Sequence, residues 1–179
     1  KEALSQAAGV ISVVGGFGSN EAMERMCGTC NIAAIQQAKE AGVPRFVFVS
    51  VHEFKHLPDS VLRGYFKGKR SAEAELKLAY KNQGTILRPG MITGNRHVGK
   101  SVVLPLWVVG TPWGFLTDNA LARAVGNIPL LGAVLEAPLV PPVSVESLAS
   151  AAVDAVLRGD SELGPDTRIL DVATLRTFH

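Results

Sequence analysis

Tyr65 and Lys69 stand four residues apart in the run Gly64-Tyr65-Phe66-Lys67-Gly68-Lys69-Arg70. On a helix, residues i and i+4 share one face, so a phenol and an ammonium would project side by side. That pairing suits carbonyl reduction. A cationic lysine lowers the phenol pKa and binds a ribose hydroxyl, and the tyrosine donates a proton to a carbonyl oxygen as hydride arrives. The Y-x-x-x-K spacing alone is common on protein surfaces. Its position gives it weight, because it follows an apolar run, Arg45-Phe46-Val47-Phe48-Val49-Ser50, and a loop.

The elements that must hold this pair follow from patterning. Val10-Ile11-Ser12-Val13-Val14 has the composition of a fully buried parallel strand. Gly15-Gly16-Phe17-Gly18 ends it. Ser19 or Asn20 caps the next helix, with Glu21 and Glu24 in its first turns. Met23, Met26, Cys27, Cys30 and Ala34 recur at helical spacing, and Gly42 with Pro44 stops the helix. Arg45–Ser50 is the second strand, a loop runs from Val51 to about Arg63, and the helix carrying Tyr65 and Lys69 continues to about Tyr80. Thr85-Ile86-Leu87-Arg88 is the third strand, closed by Pro89-Gly90. Leu139–Val143 reads as extended chain, Ser144-Val145-Glu146-Ser147 as the cap of a helix from Leu148 to Leu157, and Arg168–Val172 as a last strand. Alternating strands and helices predict an α/β fold with a Rossmann-like, doubly wound parallel sheet.

A chain of 179 residues supports one domain with a real core. Hydrophobic residues make up 47% and charged residues 19%, which fits a folded chain rather than a disordered one. The net charge of +2 is spread without a Lys/Arg block, which argues against dedicated nucleic-acid binding. Two cysteines give no disulfide framework. Lys1–Gln6 has no apolar signal region, and no long apolar run free of Pro and charge suggests a membrane span.

Other residues admit sharper and plainer explanations. Cys27-Gly28-Thr29-Cys30 is a C-x-x-C, but it lies about two turns into a helix among core-type residues, and further metal ligands are not close in sequence. Packing explains it better than redox or zinc chemistry, so no metal site is expected. His52 and His56 precede the tyrosine helix and could donate protons or simply be loop residues. Arg96, His97 and Lys100 could hold an anion or form a solvated basic loop. Trp107, Trp113, Phe115 and Leu116 could contact a prenyl chain, a membrane or a partner, or fill a core. They lie in the Gly-, Pro- and Trp-rich stretch Asn95–Pro138, which lacks clean periodicity and is expected to be an insertion covering a substrate or partner site.

A doubly wound nucleotide-binding sheet ordinarily opens with a strand, a glycine-rich turn and a helix N-terminus on the pyrophosphate. Gly15-Gly16-Phe17-Gly18 is too compact for that turn. The expectation is that residues 1–179 are the C-terminal part of a single such domain, lacking its N-terminal βαβ half, with 95–138 as an insertion.

Taken in order, Val13–Gly18, Ala41–Ser50, Gly64–Arg70, Leu87-Arg88-Pro89-Gly90 and Pro141–Val145 resemble the extended and atypical short-chain dehydrogenase/reductases. The likeness is nearest to a plant and algal group close to the yeast coenzyme-Q-associated proteins, and extends to the accessory nucleotide-binding subunit of mitochondrial complex I. The resemblance implies NAD or NADP as cofactor, with Tyr65 and Lys69 at the nicotinamide ribose. It places Gly15, Gly16, Phe17 and Gly18 close to the cofactor, and Pro89 and Gly90 after the strand framing the nicotinamide. It implies an organellar protein, mitochondrial or alternatively chloroplastic, soluble or peripheral to a membrane. Its partners would be the dinucleotide and either a prenylquinone or lipid substrate or a membrane protein complex. Two features depart from the family pattern: the usual catalytic serine position falls on Val51 or His52, leaving Ser50 as the candidate, and the phosphate loop is missing. The choice is therefore between an oxidoreductase and a non-catalytic accessory subunit.

Overall fold

The computed structural model describes residues 4, 6–54, 62–98, 102–105, 140–158 and 164–178, with only the backbone described for 95–98 and 102–105. In chain order the elements are β1 (Val10–Ser12), α1 (Asn20–Glu24), a π-helical turn (Arg25–Thr29), α2 (Cys30–Glu40), β2 (Phe46–Val49) and α3 (Arg63–Tyr80). A 3-10 turn (Lys81–Gln83) leads to β3 (Gly84–Leu87), then β4 (Ile92–Thr93), β5 (Asn95–Val98), β6 (Val102–Pro105), β7 (Val143–Ser144), α4 (Val145–Leu157), β8 (Arg168–Leu170) and α5 (Val172–Leu175). They form two compact units. The first comprises Lys1–Val51, Asp59–Arg88 and Ala151–Leu170, and the second His52–Pro58, Pro89–Ser150 and Asp171–His179.

The first unit is built on a parallel sheet of order β1-β2-β3-β8. Its register pairs Val10 with Phe46, Phe46 with Gly84 and Ile86 with Ile169. Successive strand residues point to opposite faces. Phe46, Phe48 and Ile86 therefore face one side, where they pack with Ile35 and Ala38 of α2 and Ala72, Leu76 and Tyr80 of α3. Val47 points to the other side, as does Gly9 by register, and a Cβ at Gly9 would meet the Val156 side chain of α4 at 2.9 Å. Helices thus cover both faces, as the alternating pattern predicts, and β2 and β3 are buried along their whole length.

β1 departs from its expected burial. It ends at Ser12, two residues early, and Ile11 and Val13 are 42% and 70% exposed. It lies at the edge of the described sheet, so it does not have the flanking cover of β2 and β3. The capping expectations hold better. The Ser19 hydroxyl accepts from the Ala22 amide at 3.3 Å. Gly42 ends α2 at φ +76, a left-handed conformation that glycine adopts without a Cβ clash. α4 begins at Val145 rather than Leu148, because the Ser144 hydroxyl accepts from the Ser147 amide at 3.0 Å. Val172 belongs to a helical turn rather than the last strand, because the Asp171 carboxylate caps it by accepting from the Thr174 amide at 2.9 Å.

α3 lies unusually close to the helix that precedes it. Gly64 and Gly68, four residues apart, face Asn20 and Gly28. A Cβ at Gly64 would stand 2.0 Å from the Asn20 carbonyl oxygen, and one at Gly68 would stand 2.8 Å from the Gly28 nitrogen. The Asn20 side-chain oxygen accepts from the Gly64 amide at 3.0 Å, pinning the start of α3. Only glycine permits this approach, and it is what brings the Tyr65 and Lys69 face of α3 down onto the loop after β1. Gly68→Ala is expected to cost about 1–3 kcal/mol through overpacking against backbone that cannot move aside. Urea unfolding of the variant checks it, and an unchanged midpoint would show that the helices have room to part.

The second unit pairs β4 with β7 in parallel and β5 with β6 antiparallel, Asn95 opposite Pro105. The region from Asn95, expected to be an insertion without clean periodicity, therefore begins with a two-stranded ribbon. Backbone pairing has imposed strand geometry there without an alternating apolar pattern. His56, Lys100, Trp107, Trp113, Phe115 and Leu116 lie outside the described residues, and for Arg96 and His97 only the backbone is described.

Candidate active site

Lys69 is the centre of the site. It is 3% exposed, and its ammonium donates to the carbonyl oxygens of Val14 at 3.0 Å and Val49 at 2.8 Å. The Val49 carbonyl ends β2 and the Val14 carbonyl lies two residues past the end of β1, so the lysine ties the close of β2 to the loop after β1. The Phe48 ring lies beneath it, 4.7 Å from Nζ to centroid, a cation–π contact. Burial lowers the Lys69 pKa from 10.5 to about 8, against the opposing pull of the nearby Cys27 and Glu73.

Tyr65 lies one turn earlier on α3, with its ring 5.9 Å from Lys69 Nζ. The sequence led to the expectation of a phenol with a lowered pKa. The phenol pKa is instead raised, first by burial and then by Cys27, with Arg70 opposing. Desolvation of the oxygen outweighs the nearby charge, so Tyr65 stays protonated at neutral pH.

The glycine loop meets both side chains. A Cβ at Gly15 would sit 3.3 Å from Lys69 Nζ, and one at Gly16 would touch the end of Met26 at 3.0 Å. A Cβ at Gly18 would make ordinary contact with Ala22 at 3.5 Å. Phe17 stacks on Tyr65 with centroids 5.4 Å apart and planes 16° from parallel. Tyr65, Lys69, Gly15, Gly16, Phe17 and Gly18, which the resemblance groups, thus come together in one place.

Ser50 is turned elsewhere. Its hydroxyl donates to Glu73 Oε1 at 2.5 Å. Glu73 is 2% exposed and also receives the Arg70 guanidinium and, at 3.1 and 2.5 Å, Nε and Nη2 of Arg88. Arg70 Nη2 further donates to the Val51 carbonyl at 3.1 Å. This cluster ties the ends of β2 and β3 to α3. Pro89 and Gly90 belong to the second unit, where a Cβ at Gly90 would meet Val140 at 2.7 Å. His52 is in that unit too, its amide donating to the Pro89 carbonyl at 2.8 Å and its ring edge-on to Phe54.

Asn31 escaped the sequence reading. It is fully buried, and its amide nitrogen donates to the carbonyls of Val14, Met26 and Cys27 at 3.1, 3.2 and 3.0 Å. Its oxygen accepts from the Ser12 hydroxyl at 2.7 Å. Val14 O, shared with Lys69, links the two residues. The π turn before α2, in which the Cys30 amide reaches back to the Arg25 carbonyl, brings Asn31 inward. It also separates the cysteines: Cys27 is buried with its thiol toward the Gly16 carbonyl, whereas Cys30 is exposed. The core packing expected for both cysteines therefore holds only for Cys27, since the wider turn rotates Cys30 away from the core. A polar Asn at a helical core position was the available signal for Asn31. Glu73 carried one as well, four residues after Lys69 on the same face.

A parallel sheet with helices on both faces, ending in a glycine loop beside a Y-x-x-x-K helix, defines the Rossmann class of dinucleotide-binding proteins. Residues 1–107 match a protein family described as NAD(P)H-binding, and the chain belongs to that family. It is 41% identical over 161 residues to an uncharacterized chloroplastic protein of Arabidopsis thaliana, covering 89% of this chain and 53% of that one. The chain thus spans about half the length of this curated relative. Among solved structures it resembles the Bordetella bronchiseptica enzyme WbmG in complex with NAD, with a TM-score of 0.54 at 16% identity over 96% of this chain and 54% of that one. It also resembles UDP-glucuronic acid 4-epimerase from Bacillus cereus in complex with NAD, with a TM-score of 0.54 at 14% identity over 95% and 55% of the two chains. At these identities the likeness is one of fold. Among the described residues no helix is long and apolar enough to cross a membrane, and no group of three or more His, Cys, Asp or Glu could hold a metal ion.

Proposed function

We propose that the protein is an NAD(P)-dependent oxidoreductase of the short-chain dehydrogenase/reductase type, acting on a carbonyl or quinone-like group. In this reading residues 1–179 are part of one dinucleotide-binding domain, with 95–138 a substrate- or partner-binding insertion. The reading is carried by the Lys69 ammonium. Two of its three N–H groups are spent on the Val14 and Val49 carbonyls, which leaves one for a ligand hydroxyl. The adjoining Gly15 keeps that approach clear, since a Cβ there would crowd Nζ. These residues fit a nicotinamide ribose. The bound nicotinamide would supply or accept the hydride. Lys69 holds the ribose hydroxyl, and Tyr65 gives its phenolic proton to the carbonyl oxygen. The glycine loop lets backbone approach the cofactor. The chloroplastic relative supports a chloroplast location over a mitochondrial one.

The expected result is that the full-length protein quenches or shifts NADH or NADPH fluorescence on binding, and that Tyr65→Phe lowers turnover of a carbonyl substrate at least a hundredfold with cofactor affinity within a few fold. Equal turnover in Tyr65→Phe removes the tyrosine from the chemistry. One observation favours a second reading, a dinucleotide-binding accessory subunit without turnover: the Ser50 hydroxyl is committed to Glu73 and does not have its proton to offer a substrate. Cofactor binding without reduction of any carbonyl or quinone would select it.

A further inference from the structure

Resting on the dinucleotide reading, we infer that Phe17 is a stacking platform for a planar conjugated ring that docks at Tyr65. Phe17 is 70% exposed, an unusual state for a phenylalanine. It lies nearly parallel to the Tyr65 ring, 5.4 Å between centroids at 16°. The Tyr65 ring also meets the Phe66 ring edge-on, at 88° and 5.6 Å. Phe17 is flanked by Gly16 and Gly18. Neither glycine has a side chain to brace the phenylalanine, and a Cβ at Gly18 would meet only Ala22 at ordinary distance.

Exposed Val13 and Val14 border the same loop, giving an apolar rim around one phenol and one ammonium. That composition suits a flat, mostly apolar ring carrying an oxygen or amide for the polar pair to grip. An exposed aromatic face gains most by covering another π surface. Two sources share this chemistry: the nicotinamide of the cofactor and a quinone-type or aromatic ring of a substrate.

Binding of three probes separates them, measured by calorimetry or saturation-transfer NMR on the full-length protein. The probes are nicotinamide mononucleotide, menadione, and ADP-ribose as a ring-free control for the dinucleotide site. Phe17→Ala and Phe17→Leu are expected to weaken one ring probe about tenfold, the size of one stacking contact. Phe17→Tyr should retain affinity, and ADP-ribose should bind all forms alike. Weakened nicotinamide mononucleotide assigns the platform to the cofactor, and weakened menadione assigns it to the substrate. If leucine serves as well as phenylalanine for both rings, the platform is overturned. If the wild type binds ADP-ribose but neither ring probe, the platform is overturned while the dinucleotide reading stands; if it binds none of the three, both fall.

Discussion

Lys69→Met will abolish nicotinamide-cofactor binding and change how stability responds to pH. In the fold the lysine titrates at about 8, below its ordinary 10.5. The native state therefore releases this proton at a lower pH than the unfolded chain. Between those values the unfolded chain binds more protons, so the wild type gains stability as pH rises, and below the folded pKa the burial cost is present in full. The sum is about 3 kcal/mol, of which about 2 kcal/mol is recovered between roughly pH 7 and 9.5. Methionine keeps much of the length and has no charge, so its variant lacks this term. It does remove the lysine's hydrogen bonds to the Val14 and Val49 carbonyls, Val14 keeping the one from Asn31, a cost that is nearly the same at every pH. Urea unfolding of both proteins at several pH values measures the difference. The wild type should gain on the variant as pH rises; parallel curves would mean that Lys69 is not a strained charge. Loss of cofactor binding in a variant that remains folded would mark the lysine as a residue held at a cost to stability for its chemistry.

The largest stability effect is expected at Glu73. Its carboxylate is buried and takes Ser50, Arg70 and Arg88 together. Removing it takes the buried carboxylate from two guanidinium groups that are largely covered, with side chains 31% and 16% exposed. Glu73→Ala should cost about 3–5 kcal/mol. Burial pushes the Glu73 pKa up, but the hydrogen bonds from Arg88 and Ser50 and the charges of Arg70 and Arg88 outweigh it, leaving it below 4.5. The sign follows. The folded carboxyl titrates lower than the unfolded one, so its stabilisation is complete above the ordinary carboxylate range and is lost as pH falls through the folded value. Wild-type protein should lose stability in acid more steeply than Glu73→Gln. Denaturant unfolding at neutral pH and at about pH 4 tests both statements; a loss under 1 kcal/mol for Glu73→Ala would make the cluster a surface-type network instead.

Local chemistry was legible in the sequence, and long-range satisfaction of polar groups was not. The Tyr65 and Lys69 spacing, the Ser19 cap and the Gly42 stop depend on residues a few positions apart, and each appears where the sequence places it. The strands β2 and β3 are found within a residue or so of their expected bounds. Glu73 is different, because its partners Ser50 and Arg88 lie 23 and 15 residues away. No periodicity connects them until the sheet brings the strand ends beside α3. The phenol was misjudged for a related reason. Spacing shows that an ammonium is near, while the desolvation that raises the Tyr65 pKa depends on what else covers it.

The π turn at Arg25–Thr29 has a consequence for anyone altering this helix. Asn20–Glu40 is one continuous rod with two phases, because an extra residue has been accommodated midway. A helical wheel drawn through its whole length assigns inward positions correctly on one side of the turn and wrongly on the other, as Cys30 illustrates. Deleting one residue between Arg25 and Thr29 would bring the two halves into a single phase. The irregularity is thus a register mark: residues downstream of it must be designed, aligned or mutated on their own numbering of faces.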